Sequence, residues 1–259
     1  MKNIANYLTL TNLVFGCLAI VFTLQGVWQW VEDPNQLAGY RVELLPEKLF
    51  LASLFIGLAA VVDFFDGFVA RILGAEGDMG KQLDSLADIV SFGVAPSMII
   101  FQFLRLSLAK EDDGLSASFL WLVPAFGIAA AAAWRLARFN IDTGTPSHFF
   151  RGTPVPSVGI MVASLPLIWW QANSQFEIDI LTHKWVLFGL VAVLSWLMVS
   201  NLPIMGNKPR QKSIKGFLPQ ICVLVTGVIG ALFLGWWAVP ATFAAFVAFS
   251  IVFKKIITQ

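Results

Sequence analysis

Charge is scarce in this chain: only 13% of its 259 residues are Asp, Glu, Lys or Arg, against 58% hydrophobic, and the mean hydropathy is +0.76. That balance excludes an ordinary soluble domain and points to a polytopic membrane protein. Cysteine is also sparse. Cys17 and Cys222 both sit in apolar runs without C-x-x-C spacing, which excludes a disulfide framework or a thiolate metal site. The two histidines, His148 and His183, are isolated and have no ligand spacing. A net charge of +1 favours no partner of either sign, and no nucleic-acid partner is expected. Low-complexity linkers and obvious internal repeats are lacking too.

What is abundant is long apolar sequence. Eight hydrophobic spans are expected, at roughly 7–28, 49–72, 83–106, 118–138, 154–171, 183–202, 217–235 and 237–254. No extended series of alternating ten-residue segments is present, so the expected class is all-α, a membrane bundle of about eight transmembrane helices. The N-terminal run resembles a signal peptide, and Gly16-Cys17 resembles a lipoprotein site. The run continues to about Trp28, long enough to span, and is read as the first transmembrane helix. Orientation follows from basic residues. With the N-terminus inside, 12 of the 17 Lys and Arg fall on the inner side, and eight of the ten Trp fall near outer ends. Both termini and the basic loop 203–216 are therefore expected in the cytoplasm, and loop 107–117 outside. The polar outer loop 31–46 is given no role.

Acidic residues inside this apolar sequence concentrate between Asp63 and Asp88. The stretch reads DFFDGFVARILGAEGDMGKQLDSLAD: D-x-x-D-G-x-x-A-R, eight residues, then G-x-x-x-D-x-x-x-D. A carboxylate near a bilayer centre costs roughly 2.5–3.5 kcal/mol, so four cost about 10 kcal/mol, and something must offset this. Asp63 and Asp66 lie three apart, on one helix face; Gly80, Asp84 and Asp88 are spaced by four and form a stripe on the next helix. A short polar turn joins the two helices, so they pack side by side and the four carboxylates converge. Hard oxygen ligands of this kind suit two Mg²⁺ or Mn²⁺ ions and phosphoryl chemistry. Gly67, Ala70 and Gly80 remove bulk beside the carboxylates, and Arg71 offers a planar fork to phosphate oxygens. One such aspartate alone could equally be a proton-relay residue of a transporter. Eight specified positions agree by chance on the order of once in ten billion starting points.

These eight residues fill every position of the CDP-alcohol phosphotransferase signature, and the chain resembles that family of integral membrane enzymes. The resemblance implies transfer of a phosphatidyl-type group from a CDP-linked donor to an alcohol with release of CMP, in a usually dimeric helical bundle around a cytoplasmic two-metal site. It implies Asp63, Asp66 and Asp84 as metal ligands, and Asp88 as both ligand and base. Gly67, Ala70, Arg71 and Gly80 would line the cytidine diphosphate site. The segments SLADIVSFGVAPS (85–97), ARFN (137–140), RGTPVPSVG (151–159) and the start YLTLTNLVFGCLAI look like the bacterial and archaeal phosphatidylserine synthases of the family. That implies CDP-diacylglycerol and L-serine as substrates, membrane lipids around the chain, and a homodimer in the cell membrane. It covers about residues 1–160, the expected catalytic core of a single 1–259 membrane domain; 161–259 reads as additional spans. Arg135, Arg138, Asn140 and Arg151 fall at the same membrane face as the aspartates and could hold a small zwitterion by its carboxylate, Arg138 first among them. Ser91 and Phe92 either shape the acceptor pocket or pack. Glycerol 3-phosphate and inositol phosphate remain as rival acceptors, and an ion-coupled transporter as the rival of another class.

Overall fold

The computed structural model describes residues 2–25, 28–32, 40–44, 46–73, 77–110, 118–141, 149–205 and 214–254. Each expected span contains a helix. The long ones are α1 (Lys2–Leu24), α2 (Pro46–Leu73), a continuous rod of α3 (Asp78–Asp88), a π turn (Ile89–Val94) and α4 (Ala95–Ala109), and α5 (Gly127–Ile141). Then come α6 (Val155–Gln171), a short α7 (Gln175–Leu181), α8 (Lys184–Val199), α9 (Ile214–Leu234) and α10 (Ala238–Val252). Among the described residues five helical runs are long and apolar enough to cross a membrane, and α7 with α8, bent by 53°, makes a sixth. The eight expected spans and these runs differ in two places. The run Phe217–Val252 counts once although it folds back on itself, and α6 has only 17 residues. At 1.5 Å per residue α6 reaches about 25 Å, less than the roughly 30 Å hydrocarbon core.

Not every apolar segment is helical. The first helix ends at Leu24, and Trp28–Glu32 (β1) pairs antiparallel with Tyr40–Leu44 (β2) in the loop that had no expected role. The fourth span opens with two 3-10 turns, Phe119–Trp121 and Val123–Phe126, before α5 begins. A second small sheet was not foreseen: Phe149–Arg151 (β3) pairs with Pro203–Met205 (β4), joining the end of α5 to the end of α8.

The core sits around the π turn and α4. Pro96 explains the π turn. It has no N–H to give the Phe92 carbonyl, and its ring would crowd that carbonyl in a regular helix, so the chain widens one turn earlier. Ser97 repairs part of the break, donating to the Gly93 carbonyl (2.9 Å) while accepting from the Ala129 N–H (3.1 Å) in the first turn of α5. Small residues let the rod meet its neighbours: Gly93 lies against Ala129 and Ala132 of α5, and Gly159 of α6 against Phe92, which is fully buried. The C-terminal hairpin reverses at Gly235 (φ +56°), a left-handed position suited to glycine. Gly230 then faces Ala238, and Gly227 faces Thr242. Gln171 accepts from the Trp236 N–H (2.9 Å) and Glu177 from the Trp237 indole N–H (3.2 Å), tying the hairpin to α6 and α7.

Candidate functional site

Contacts along α1 fix how three helices assemble the site. Gly80 faces the Asn6 side chain, and the Ser91 hydroxyl donates to the Asn12 carbonyl (3.0 Å), so α1 runs parallel to α3. Thr9 donates to the Asp66 carboxylate (2.7 Å) while Phe15 packs on Phe55 with ring centres 5.9 Å apart, so α2 runs antiparallel to α1. Asp63 and Asp66 on α2 are thereby opposed to Asp84 and Asp88 on α3.

The carboxylate oxygens of Asp63, Asp66 and Asp84 lie within 4.8 Å of one another. Asp88 adjoins them: its charged neighbours are Asp63, Asp84, Asp66 and Arg135. Asp66 and Asp88 are 6% and 7% exposed, so water screens neither fully. Two unit charges 4 Å apart repel by about 4 kcal/mol at an effective dielectric of 20, and this cluster contains several such pairs. The donor set, all hard oxygen, therefore fits divalent cations, and the unpartnered Oδ1 of buried Asp88 is a further oxygen awaiting a ligand or a proton.

The residues expected to hold the nucleotide divide. A side chain at Gly67 would meet nothing within 4 Å, so the α2 backbone is open there. Gly80 instead lets α1 approach α3, since a Cβ there would lie 3.3 Å from Asn6 Oδ1. Ala70 and Arg71 occupy the last turn of α2, with side chains outside the described residues.

The acceptor candidates divide more sharply. Arg135 is buried (7% exposed), neighbours Asp88, and its Nε has no partner. Asn140 donates to the Ser85 hydroxyl (2.9 Å), beside Asp84, and its Oδ1 is unpartnered. Arg138 is already engaged. Its guanidinium donates to the carbonyls of Val199 (2.9 Å), Arg151 (3.2 Å) and Ser200 (3.3 Å) and to Asn201 Oδ1 (3.3 Å). It fastens α5 to the β3–β4 crossing. Arg151 is exposed and meets Arg138 through its own backbone. Ser91 and Phe92 pack, Ser91 on α1 and Phe92 on α6.

Sequence reasoning missed the contribution of α1. Thr9 and Asn12 are polar residues three apart within an apolar span, a signal present in the sequence. Nothing local says that their partners lie on α2 and α3.

A membrane bundle that gathers hard oxygen ligands between two antiparallel helices is chemically suited to metal-assisted phosphoryl transfer. Residues 2–206 are matched by the CDP-alcohol phosphatidyltransferase family model, and the chain belongs to that family. The match takes in α1 to α8 and stops before α9. The chain is similar to a CDP-diacylglycerol–serine O-phosphatidyltransferase of Mycobacterium leprae (strain TN), with 33% identity over 84% of this chain and 78% of the relative. Proteins of the same name from Helicobacter pylori (strain J99) and Bacillus subtilis (strain 168) are 31% and 37% identical, over 71% and 61% of this chain and 76% and 77% of their own lengths.

Proposed function

We propose that this protein is a CDP-diacylglycerol–serine O-phosphatidyltransferase, an integral membrane enzyme that moves the phosphatidyl group from CDP-diacylglycerol to L-serine and releases CMP. The carrying observation is the convergence of Asp63, Asp66 and Asp84 within 4.8 Å, in a chain of this family whose relatives bear that name. Neither the phosphorylated acceptors nor the transporter gains support from those relatives.

Asp63, Asp66, Asp84 and Asp88 would hold two divalent cations, Mg²⁺ or Mn²⁺, which supply charge neutralisation at the donor diphosphate and at the departing CMP. Gly67, Ala70 and Arg71 would line the cytidine diphosphate, and Gly80 brings α1 up against α3 beside it. Asp88 takes the serine hydroxyl proton, the oxygen forms its bond to the lipid-side phosphorus, and the bond from that phosphorus to CMP breaks. Positioning and preorganised electrostatics provide most of the acceleration. For the serine carboxylate Arg135 is the first choice, because its Nε is unspent and it adjoins Asp88, whereas the Arg138 fork is filled by protein acceptors. Arg138 and Asn140 then act by presenting the end of α5. The positive-inside bias supports a site at the cytoplasmic face of the cell membrane.

Purified protein given CDP-diacylglycerol and labelled L-serine should form phosphatidylserine and CMP in equal amounts, and stop when a chelator is added. Preference for glycerol 3-phosphate or inositol phosphate, or no CMP release, would overturn the reading.

A further inference from the structure

Asn12 is fully buried on α1, yet neither its Oδ1 nor its Nδ2 has a hydrogen-bond partner. A carboxamide in that condition forfeits up to four hydrogen bonds to water, and native proteins rarely tolerate this without a ligand, ion or bound water to complete them. Its level in the bundle follows from contacts on both sides. On the α3 side, Asn6 adjoins Gly80 and the Asn12 carbonyl adjoins Ser91, which puts residues 9 to 12 beside Asp84 to Asp88. On the α2 side, Thr9 bonds Asp66, so Asp63, one turn earlier on the antiparallel helix, comes level with Asn12, one turn later on α1. Asn12, Asp63 and Asp88 thus form one layer, which Arg135 adjoins from α5. Unpartnered polar atoms in this layer come from Asn12, Asp88 and Arg135.

We propose that Asn12 is an acceptor-binding residue that reads the α-amino-acid head of the acceptor: Oδ1 accepts from its ammonium and Nδ2 donates to its carboxylate. This rests on the serine reading above. The chemistry is complementary. A carboxamide presents one acceptor and one donor group side by side, and an α-amino acid presents an ammonium and a carboxylate on one carbon. The other groups in the layer are committed elsewhere, Asp88 to the hydroxyl proton and Arg135 to the net charge of the carboxylate. Asn12 would thereby select a free amino acid over an alcohol lacking either group, and both of its orphan atoms would find partners.

Asn12→Leu keeps the branched outline of the side chain and removes both polar atoms. The readouts are the KM for L-serine, the KM for CDP-diacylglycerol, the inhibition constant of 3-hydroxypropanoate (serine without its ammonium), and the melting temperature in detergent. The expected result is a serine KM raised about tenfold or more, an unchanged donor KM, an inhibition constant that moves less than the serine KM, and a melting temperature equal to or above that of the unaltered protein. Asn12→Ala supplies the same comparison should the leucine variant not insert. An unchanged serine KM overturns the inference. So does a loss shared equally by serine and 3-hydroxypropanoate with a lowered melting temperature, which is what a packing role would produce. If the unaltered protein does not use serine at all, the parent reading fails by itself, independently of Asn12.

Discussion

The α3–π–α4 rod and the α9–α10 hairpin are both apolar enough to cross a membrane, with mean hydropathies of 1.7 and 2.2, yet the protein treats them oppositely. Two thirds (67%) of the most apolar window of Met79–Ala109 is buried within the protein, against 11% for Phe217–Val252. The rod carries Asp84 and Asp88 and meets α1, α5 and α6 through small residues and exact side-chain fits. The hairpin is held by a few polar ties, at Trp236 and Trp237 to α6 and α7 and at Ser250, which accepts from the Met205 N–H of β4 (3.3 Å), and it exposes Leu224, Leu232 and Phe233. In a bilayer such exposure carries no penalty, because lipid tails are as apolar as leucine. Hydrophobicity therefore says that both segments belong in the membrane and nothing about which is central. Buried polar groups make that distinction: the rod must satisfy carboxylates and hydroxyls by contact with other helices, and the hairpin has few to satisfy.

Substitutions on the two segments should separate them by orders of magnitude. The largest effect is expected for Asp84→Asn, which removes a charge from the oxygen cluster. Turnover should fall on the order of a thousandfold while insertion into membranes is unchanged, and near-full turnover of the purified variant in chelator would remove the rod's special status. An intermediate effect is expected where α6 abuts the rod. A Cβ at Gly159 would lie 2.9 Å from the Phe92 Cβ and 3.0 Å from its Cα, so Gly159→Leu should destabilise the protein by about 1–3 kcal/mol. Thermal unfolding in detergent measures this, and an unshifted midpoint would show that the two helices can separate freely. The smallest effect is expected for Leu232→Ala, at a side chain 75% exposed. Midpoint and turnover should stay within about 0.5 kcal/mol of the unaltered protein. A larger loss would show that the hairpin face packs on something other than lipid.

The candidate site was legible in part. Asp63 with Asp66, and Asp84 with Asp88, are related by helical spacing alone, and a short connection obliges their helices to pack, so the cluster could be read before any coordinates. Arg138 could not be judged that way. Its position at the end of α5 matched that of an acceptor ligand, but its guanidinium is filled by carbonyls more than ten residues away in sequence, supplied partly by a β3–β4 pairing that carries no local signal. The π turn was half legible: Pro96 announces a break, and only the packing of Gly93 and Ser97 against α5 shows how the chain resolves it.

By itself, then, the sequence determined membrane residence, the helical positions and the convergence of the oxygen cluster, because each depends on composition or on spacing within one or two adjacent helices. The tertiary structure decided which helix covers the cluster, which arginine is left with an unspent donor, and that Asn12 stands in the layer of Asp63 and Asp88. Those outcomes depend on hydrogen bonds between segments distant in the chain. A polar residue on an isolated helix carries the same signal whichever neighbour satisfies it, and only the assembled bundle shows which groups were left without one.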